Sequence, residues 1–167
     1  NMVRTPAADP ALPGFEWGDG LDAYVTGSQL HGQGGWKGWD NNASYGALAS
    51  AAQSHSASNS IAIVGSSDLV HEYSNITNGQ WVFTAWQYIP SDFTGRQYFI
   101  LLNRYNDGGP YGWSVQVMFD ASKGHVKSDF DGAKLTLIKG QWVEIRVEID
   151  LDADTQAFYY GGTKLYE

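Results

Sequence analysis

The carboxylates of residues 142–151, WVEIRVEIDL, and of the turn that follows are the part of this 167-residue chain whose spacing most directly suggests chemistry. Glu144, Glu148 and Asp152 recur four residues apart. In a flat strand that spacing is about 13 Å, whereas a retaining glycosidase needs two carboxyls at about 5.5 Å. Glu148 and Asp150, two apart, come nearer that distance. Arg146 shares their face and offers an ion pair to Glu144 or Glu148. The alternation predicts a solvated, charged strand face opposite Val143, Val147 and Leu151.

Asp150, Asp152 and Asp154 carry the alternate-residue oxygen spacing of a calcium loop, and hard oxygen ligands suit Ca²⁺. The glycine that an EF-hand loop requires is missing, and aspartate is also a favoured turn residue, so a polar hairpin turn accounts for the same pattern. NRYNDGG, residues 103–109, is a second oxygen-rich loop.

Aromatic residues offer a different chemistry. A sugar is held by ring faces stacked on its C–H groups, with amides and carboxylates fixing its hydroxyls. Trp86 and Tyr88 share one strand face with Thr84, while Trp81 and Phe83 share the other. Asn103 and Tyr105 approach the turn that leads to Trp113. In HGQGGWKGWDNN, residues 31–42, Trp36 and Trp39 sit in a glycine-rich frame. One of these rings is expected to plug the domain and the other to be displayed. The carbohydrate-contacting candidates are therefore Trp86, Tyr88, Asn103, Tyr105, Trp113 and Trp39. Each competes with the simpler reading of a tryptophan or tyrosine buried in a core.

Other chemistries find little support. The four histidines, His31, His55, His71 and His125, show no paired metal spacing, and there is no cysteine for thiolate chemistry. No G-x-S-x-G, phosphate loop or cysteine cluster occurs. Asn42-Ala43-Ser44 and Asn75-Ile76-Thr77 are sequons, which mark surface loops at most.

The elements that must position these groups read as strands. Helical periodicity is nearly absent, and the Ala-rich residues 45–58 read as a strand followed by a loop. Residues 60–64, 81–89, 97–105, 113–119 and 142–151 carry strand patterns, with Gly- and Asp-rich turns between them. QYFILLNRY, apolar on both faces in its middle, reads as a central strand covered on both sides. QAFYY and TKLYE flank Gly161-Gly162, a strong hairpin signal. About ten short strands without βα alternation predict an antiparallel sandwich or jelly roll. The net charge of −8 and the scattered lysines and arginines exclude a basic nucleic-acid stripe and disfavour an anionic membrane surface. No apolar run is long enough to span a bilayer. No apolar leader is visible at the start, which fits a processed secreted form or a cytosolic one.

GLDAYVTGSQLHGQGGWKGWDN, GQWVFTAWQYIPSDF and QWVEIRVEIDLDADTQAFYYGG together resemble the concanavalin A-like lectin/glucanase superfamily. The similarity is greatest to the LamG-type jelly rolls of secreted bacterial proteins and covers roughly residues 15–167. It implies an all-β, antiparallel jelly-roll sandwich over 15–167, preceded by an extended arm at 1–14. The glucanase branch carries Glu-x-Asp-x-x-Glu. Here Glu148-Ile149-Asp150-Leu151-Asp152-Ala153 ends in Ala153 where the second glutamate belongs, so no catalytic residue is assigned. Domains of this type carry a closing strand after the last hairpin. The resemblance leaves two readings, a strand outside this sequence or one supplied by another chain.

The expected function is an extracellular or cell-surface, non-catalytic carbohydrate-binding or adhesion module, with its signal peptide removed. Its partner would be a glycan or polysaccharide, with calcium as the one cofactor in view. The alternative is a structural subunit of a surface assembly or filament, self-associating through strand exchange of residues 1–14. A glycosidase of the same fold is the third reading.

Overall fold

The computed structural model describes residues 17–56 and 58–167, and these form an all-β structure of antiparallel sheets. The arm expected over 1–14 lies outside the described residues. No helix among the described residues is long and apolar enough to cross a membrane. The chain divides into two compact units. One contains residues 20–76 and 102–112, the other residues 77–101 and 113–167.

The first unit is built from short pieces. Strands β1 (Trp36–Gly38), β2 (Leu48–Ser50), β3 (Ser60–Ala62) and β4 (Leu69–His71) make two antiparallel pairs, β1 with β4 and β2 with β3. The Ala-rich stretch thus does begin as a strand and continue as a loop. Leu21, Leu30, Trp36, Ala47 and Ala49 are its buried apolar residues. Asn59 is buried among them with its amide used on both sides. It donates to the Tyr24 carbonyl at 2.9 Å and accepts from the Thr26 hydroxyl at 2.7 Å, so the irregular 21–26 segment is pinned without a ladder.

The glycines around Trp36 answer a spatial need. Gly35 has φ +84°, and a Cβ there would lie 2.8 Å from His71 Nε2. Gly38 has ordinary backbone angles, but a Cβ would meet the Asn42 carbonyl at 2.1 Å. The chain folds back on itself too tightly for any side chain there.

The remaining strands are β5 (Gln80–Tyr88), β6 (Arg96–Arg104), β7 (Gly112–Asp120), β8 (His125–Ser128), β9 (Lys134–Thr136), β10 (Trp142–Asp150), β11 (Thr155–Tyr160) and β12 (Thr163–Tyr166). They form two four-stranded sheets, ordered β12-β11-β10-β5 and β6-β7-β8-β9. Alternation decides which side chains go inward. Val115, Val117 and Phe119 on β7, and Val143, Ile145 and Val147 on β10, join one buried core with Phe158 and Tyr160 of β11. Each fully buried side chain of this size contributes about 1.5–3 kcal/mol before entropy is counted. Rings from both sheets meet in that core: Phe119 and Tyr160 at 5.7 Å between centroids, and Phe99 and Phe158 at 5.9 Å. The second unit is therefore sandwich-like.

Two details depart from the sequence reading. β6 stands at the end of its sheet order, and its middle is only half-buried, with Tyr98 exposed. A continuous apolar run reports hydrophobicity without saying which strands flank it. Leu151 is exposed and does not continue the Val143–Val147 face. Asp150 stops the strand first, because its Oδ1 accepts the backbone N–H groups of Asp152 and Ala153 at 3.0 and 2.9 Å.

The turn after β7 is held by a buried carboxylate. Asp120 is inaccessible to solvent and accepts from the Ser122 hydroxyl at 2.5 Å, Arg96 Nε at 2.9 Å and the Lys123 N–H at 3.1 Å. The Ser122 bond, followed by the Arg96 and Lys123 donors, holds its pKa down at about 2 despite burial. At the other hairpin, Gly161 and Gly162 both take positive φ between β11 and β12, as the glycine pair predicts.

Candidate functional site

The residues that best combine exposure, rings and polar groups lie in the first unit, where residues 37–40 meet the 105–111 loop. Trp36 and Trp39 separate in role at this point. Trp36 is buried and packs edge-on against His71 at 5.1 Å. Trp39, half-buried, stands beside two tyrosines: Tyr105 at 5.0 Å, nearly perpendicular, and Tyr111 at 4.7 Å, tilted. Tyr105 and Tyr111 are themselves 5.9 Å apart. Trp39 is oriented through its backbone, whose N–H donates to the Asp68 carbonyl at 2.8 Å.

Asp40 locks this group together. It adopts left-handed backbone angles, φ 55° and ψ 32°, which aspartate and asparagine tolerate better than most residues. In that conformation its N–H donates to the Tyr105 hydroxyl at 2.8 Å. Its Oδ1 accepts from the Gly108 N–H at 2.9 Å and from the Tyr111 hydroxyl at 2.5 Å. The Tyr111 bond, with Gly108 behind it, keeps the Asp40 carboxyl below the usual carboxylate range. The same bond, chiefly, pushes the Tyr111 phenol up to about 12.

Lys37 is the neighbouring cation. Its Nζ lies 2.6 Å from Asp107, forms an ion pair with Glu72, and sits 5.1 Å from the centre of the Tyr105 ring. Burial works against its charge, but Asp107 and Glu72 more than offset that and hold its pKa above the usual lysine value. Asn106, Asp107 and Gly108 form an exposed rim beside the rings. The whole is a cluster of three half-buried rings with hydrogen-bonding groups at its edge. Such an arrangement is able to bind by stacking and hydrogen bonding.

Trp39 and Tyr105 are thus brought together as sugar-contacting candidates. Asn103 is exposed on β6, and its Oδ1 occupies the space a Cβ on Gly112 would need, 2.3 Å from that position. Trp86 and Tyr88 lie in the other unit on β5, paired in register with Glu144 and Trp142 of β10, and Tyr88 packs against Trp142 at 5.6 Å. Trp113, also in that unit, opens the core-facing register of β7 but is exposed. Tyr111, Asp40 and Lys37 escaped the sequence reading. The signal that could have found Tyr111 is its place at the far end of the same seven-residue stretch, 105–111, as Tyr105.

The carboxylate candidates are engaged elsewhere. Asp150 Oδ1 holds its own turn, and Oδ2 accepts from Gln80 Nε2 at 2.8 Å; the Gln80 bond, followed by the turn N–H groups, lowers its pKa. Asp152 accepts from the Gly79 N–H at 3.1 Å, and Asp154 is exposed with positive φ. Among the described residues no group of three or more His, Cys, Asp or Glu is placed to hold a metal ion. Asp107, in the second oxygen-rich loop, pairs with Lys37. Glu148 forms its ion pair with Arg146, at 2.8 Å, and also accepts from the Tyr159 hydroxyl at 3.3 Å.

No family model, curated protein or solved structure matches the chain.

Proposed function

We propose that this chain is an extracellular, non-catalytic carbohydrate-binding module that holds a glycan on the Trp39–Tyr105–Tyr111 platform. The observation that carries the reading is the platform's construction. Three rings lie within 6 Å of one another, both tyrosines tied to Asp40, and the amide and carboxylate of Asn106 and Asp107 stand exposed at the edge. Preorganised rings lose little entropy on binding, which favours a weakly polar, extended ligand such as a polysaccharide.

A non-catalytic role agrees with the carboxylates of β10. The acid/base position is Ala153, and Glu148 is occupied by Arg146 and Tyr159. The concanavalin A-like jelly roll remains the architecture we propose. Its support is the pair of four-stranded antiparallel sheets around one core and the chain path, which leaves one sheet after β5, builds the other, and returns at β10. The test is a screen of immobilised polysaccharides with the chain and its Trp39→Ala variant. Binding that disappears with Trp39 supports the platform, and binding indifferent to Trp39 refutes it.

A second reading, a structural subunit exchanging residues 1–14 as a strand, is favoured by one observation. β5, nine residues long, stands at the end of its sheet order among the described residues, and a terminal strand is where a further strand pairs. Light scattering on the chain with and without residues 1–14 separates the readings. Assembly that depends on the arm would favour the structural role.

A further inference from the structure

We infer that the platform selects uncharged glycans and rejects uronic-acid and sulfated polymers. The inference rests on the reading of the Trp39 cluster as a glycan site and names the ligand class it admits. Recognition of an acidic sugar needs a cation free to meet a carboxylate or sulfate. The cation beside these rings, Lys37, is already shared between Asp107 and Glu72. It also faces the Tyr105 ring, so its charge is spent on protein groups.

The surrounding charge points the same way. Asp40, Asp68, Glu72 and Asp107 surround the rings against Lys37 alone, with Asp68 adjoining Trp39 through its backbone bond. Arg104, the other cation of this unit, stands one residue before Tyr105, so strand alternation puts it on the opposite face. An incoming anion meets a net negative surround, and like charges brought together at an interface are costly. A neutral sugar pays no such cost. Asp107 and Asn106 can accept and donate to its hydroxyls, and the rings take its C–H face.

The test compares two polymers of one backbone, polygalacturonate and fully methyl-esterified homogalacturonan, together with a neutral β-glucan and a mannan. Binding to the full chain is measured by affinity electrophoresis and calorimetry at low and high salt. We expect at least one neutral polymer to bind and polygalacturonate to bind more than about tenfold more weakly than its ester, with the gap narrowing as salt screens the repulsion. Glu72→Gln, which frees part of the Lys37 charge without touching the sugar-facing rim, is expected to raise polygalacturonate binding while neutral binding changes by less than about threefold. Polygalacturonate binding as tightly as its ester, or weakening with salt, overturns the selectivity and leaves the glycan site standing. No binding by any polymer, neutral or acidic, overturns the glycan reading itself and the selectivity with it.

Discussion

Tyr111 donates its hydroxyl hydrogen to Asp40 Oδ1 at 2.5 Å, across a separation of 71 residues. One short, charge-assisted bond ties the loop after β6 to the turn after β1, and the flanking rings of Trp39 and Tyr105 take their places from it. Asp40 also accepts from Gly108 and donates to Tyr105, so three points of the loop converge on one residue.

This bond gives the site an alkaline limit. Tyr111 ionises at about 12 in the folded chain against an ordinary 10.0. A raised pKa stabilises the fold fully below the ordinary value, and that stability is lost as pH rises from 10 through about 12. Tyr166 is also held up at about 12 and Tyr73 is raised by burial, so tyrosinate absorbance should show several late-titrating phenols, with one fewer in Tyr111→Phe. The variant should lose its excess stability over the parent at high pH. A parent and variant with identical alkaline unfolding profiles would contradict the assignment.

At the acid end, Asp120 governs. Its folded pKa of about 2 lies below the ordinary 3.8, so its contribution is fully present above the ordinary value and is lost as pH falls through about 2. Asp120→Asn should lower the melting temperature at pH 7 and flatten its fall below pH 4. The Arg96 and Lys123 donors would keep a neutral acceptor but lose the charge. Thermal unfolding followed by circular dichroism across that range checks both signs.

Core and site should respond differently to truncation. Phe158 is fully buried, with Phe99 and Tyr166 both 5.9 Å from its ring. Phe158→Ala is expected to cost about 3–5 kcal/mol in denaturant unfolding. Asn59→Ala, which removes the buried amide tying Tyr24 to Thr26, should cost about 0.5–1.5 kcal/mol. Costs below about 0.5 kcal/mol in both would mean that neither packing nor pinning is as described.

The long strands were legible because alternation over nine residues has one physical reading. Residues 81–89 were expected as a strand and β5 spans Gln80–Tyr88, and the Gly161-Gly162 hairpin appeared where its glycines require. The place of β6 at the end of its sheet order among the described residues was not legible, since lateral neighbours leave no mark on a strand's own pattern. Within the site, Trp39 and Tyr105 stood out as rings beside turns. Asp40 and Tyr111 did not, because their roles arise from a contact between distant segments and from a left-handed backbone at Asp40. The aspartates at 150, 152 and 154 have a spacing that turn-forming and cation-binding carboxylates share, and the turn-forming use is the one seen in the bonds of Asp150.

The most direct test of the central claim is a calorimetric titration of the strongest-binding neutral polysaccharide into the chain, Trp39→Ala and Trp86→Ala. The account predicts that Trp39→Ala weakens binding by about 2 kcal/mol, roughly thirtyfold, with its circular dichroism spectrum retained at the titration temperature, while Trp86→Ala keeps the parent affinity. Loss of binding with Trp86 and full retention without Trp39 would contradict it and move the site to the β5 face.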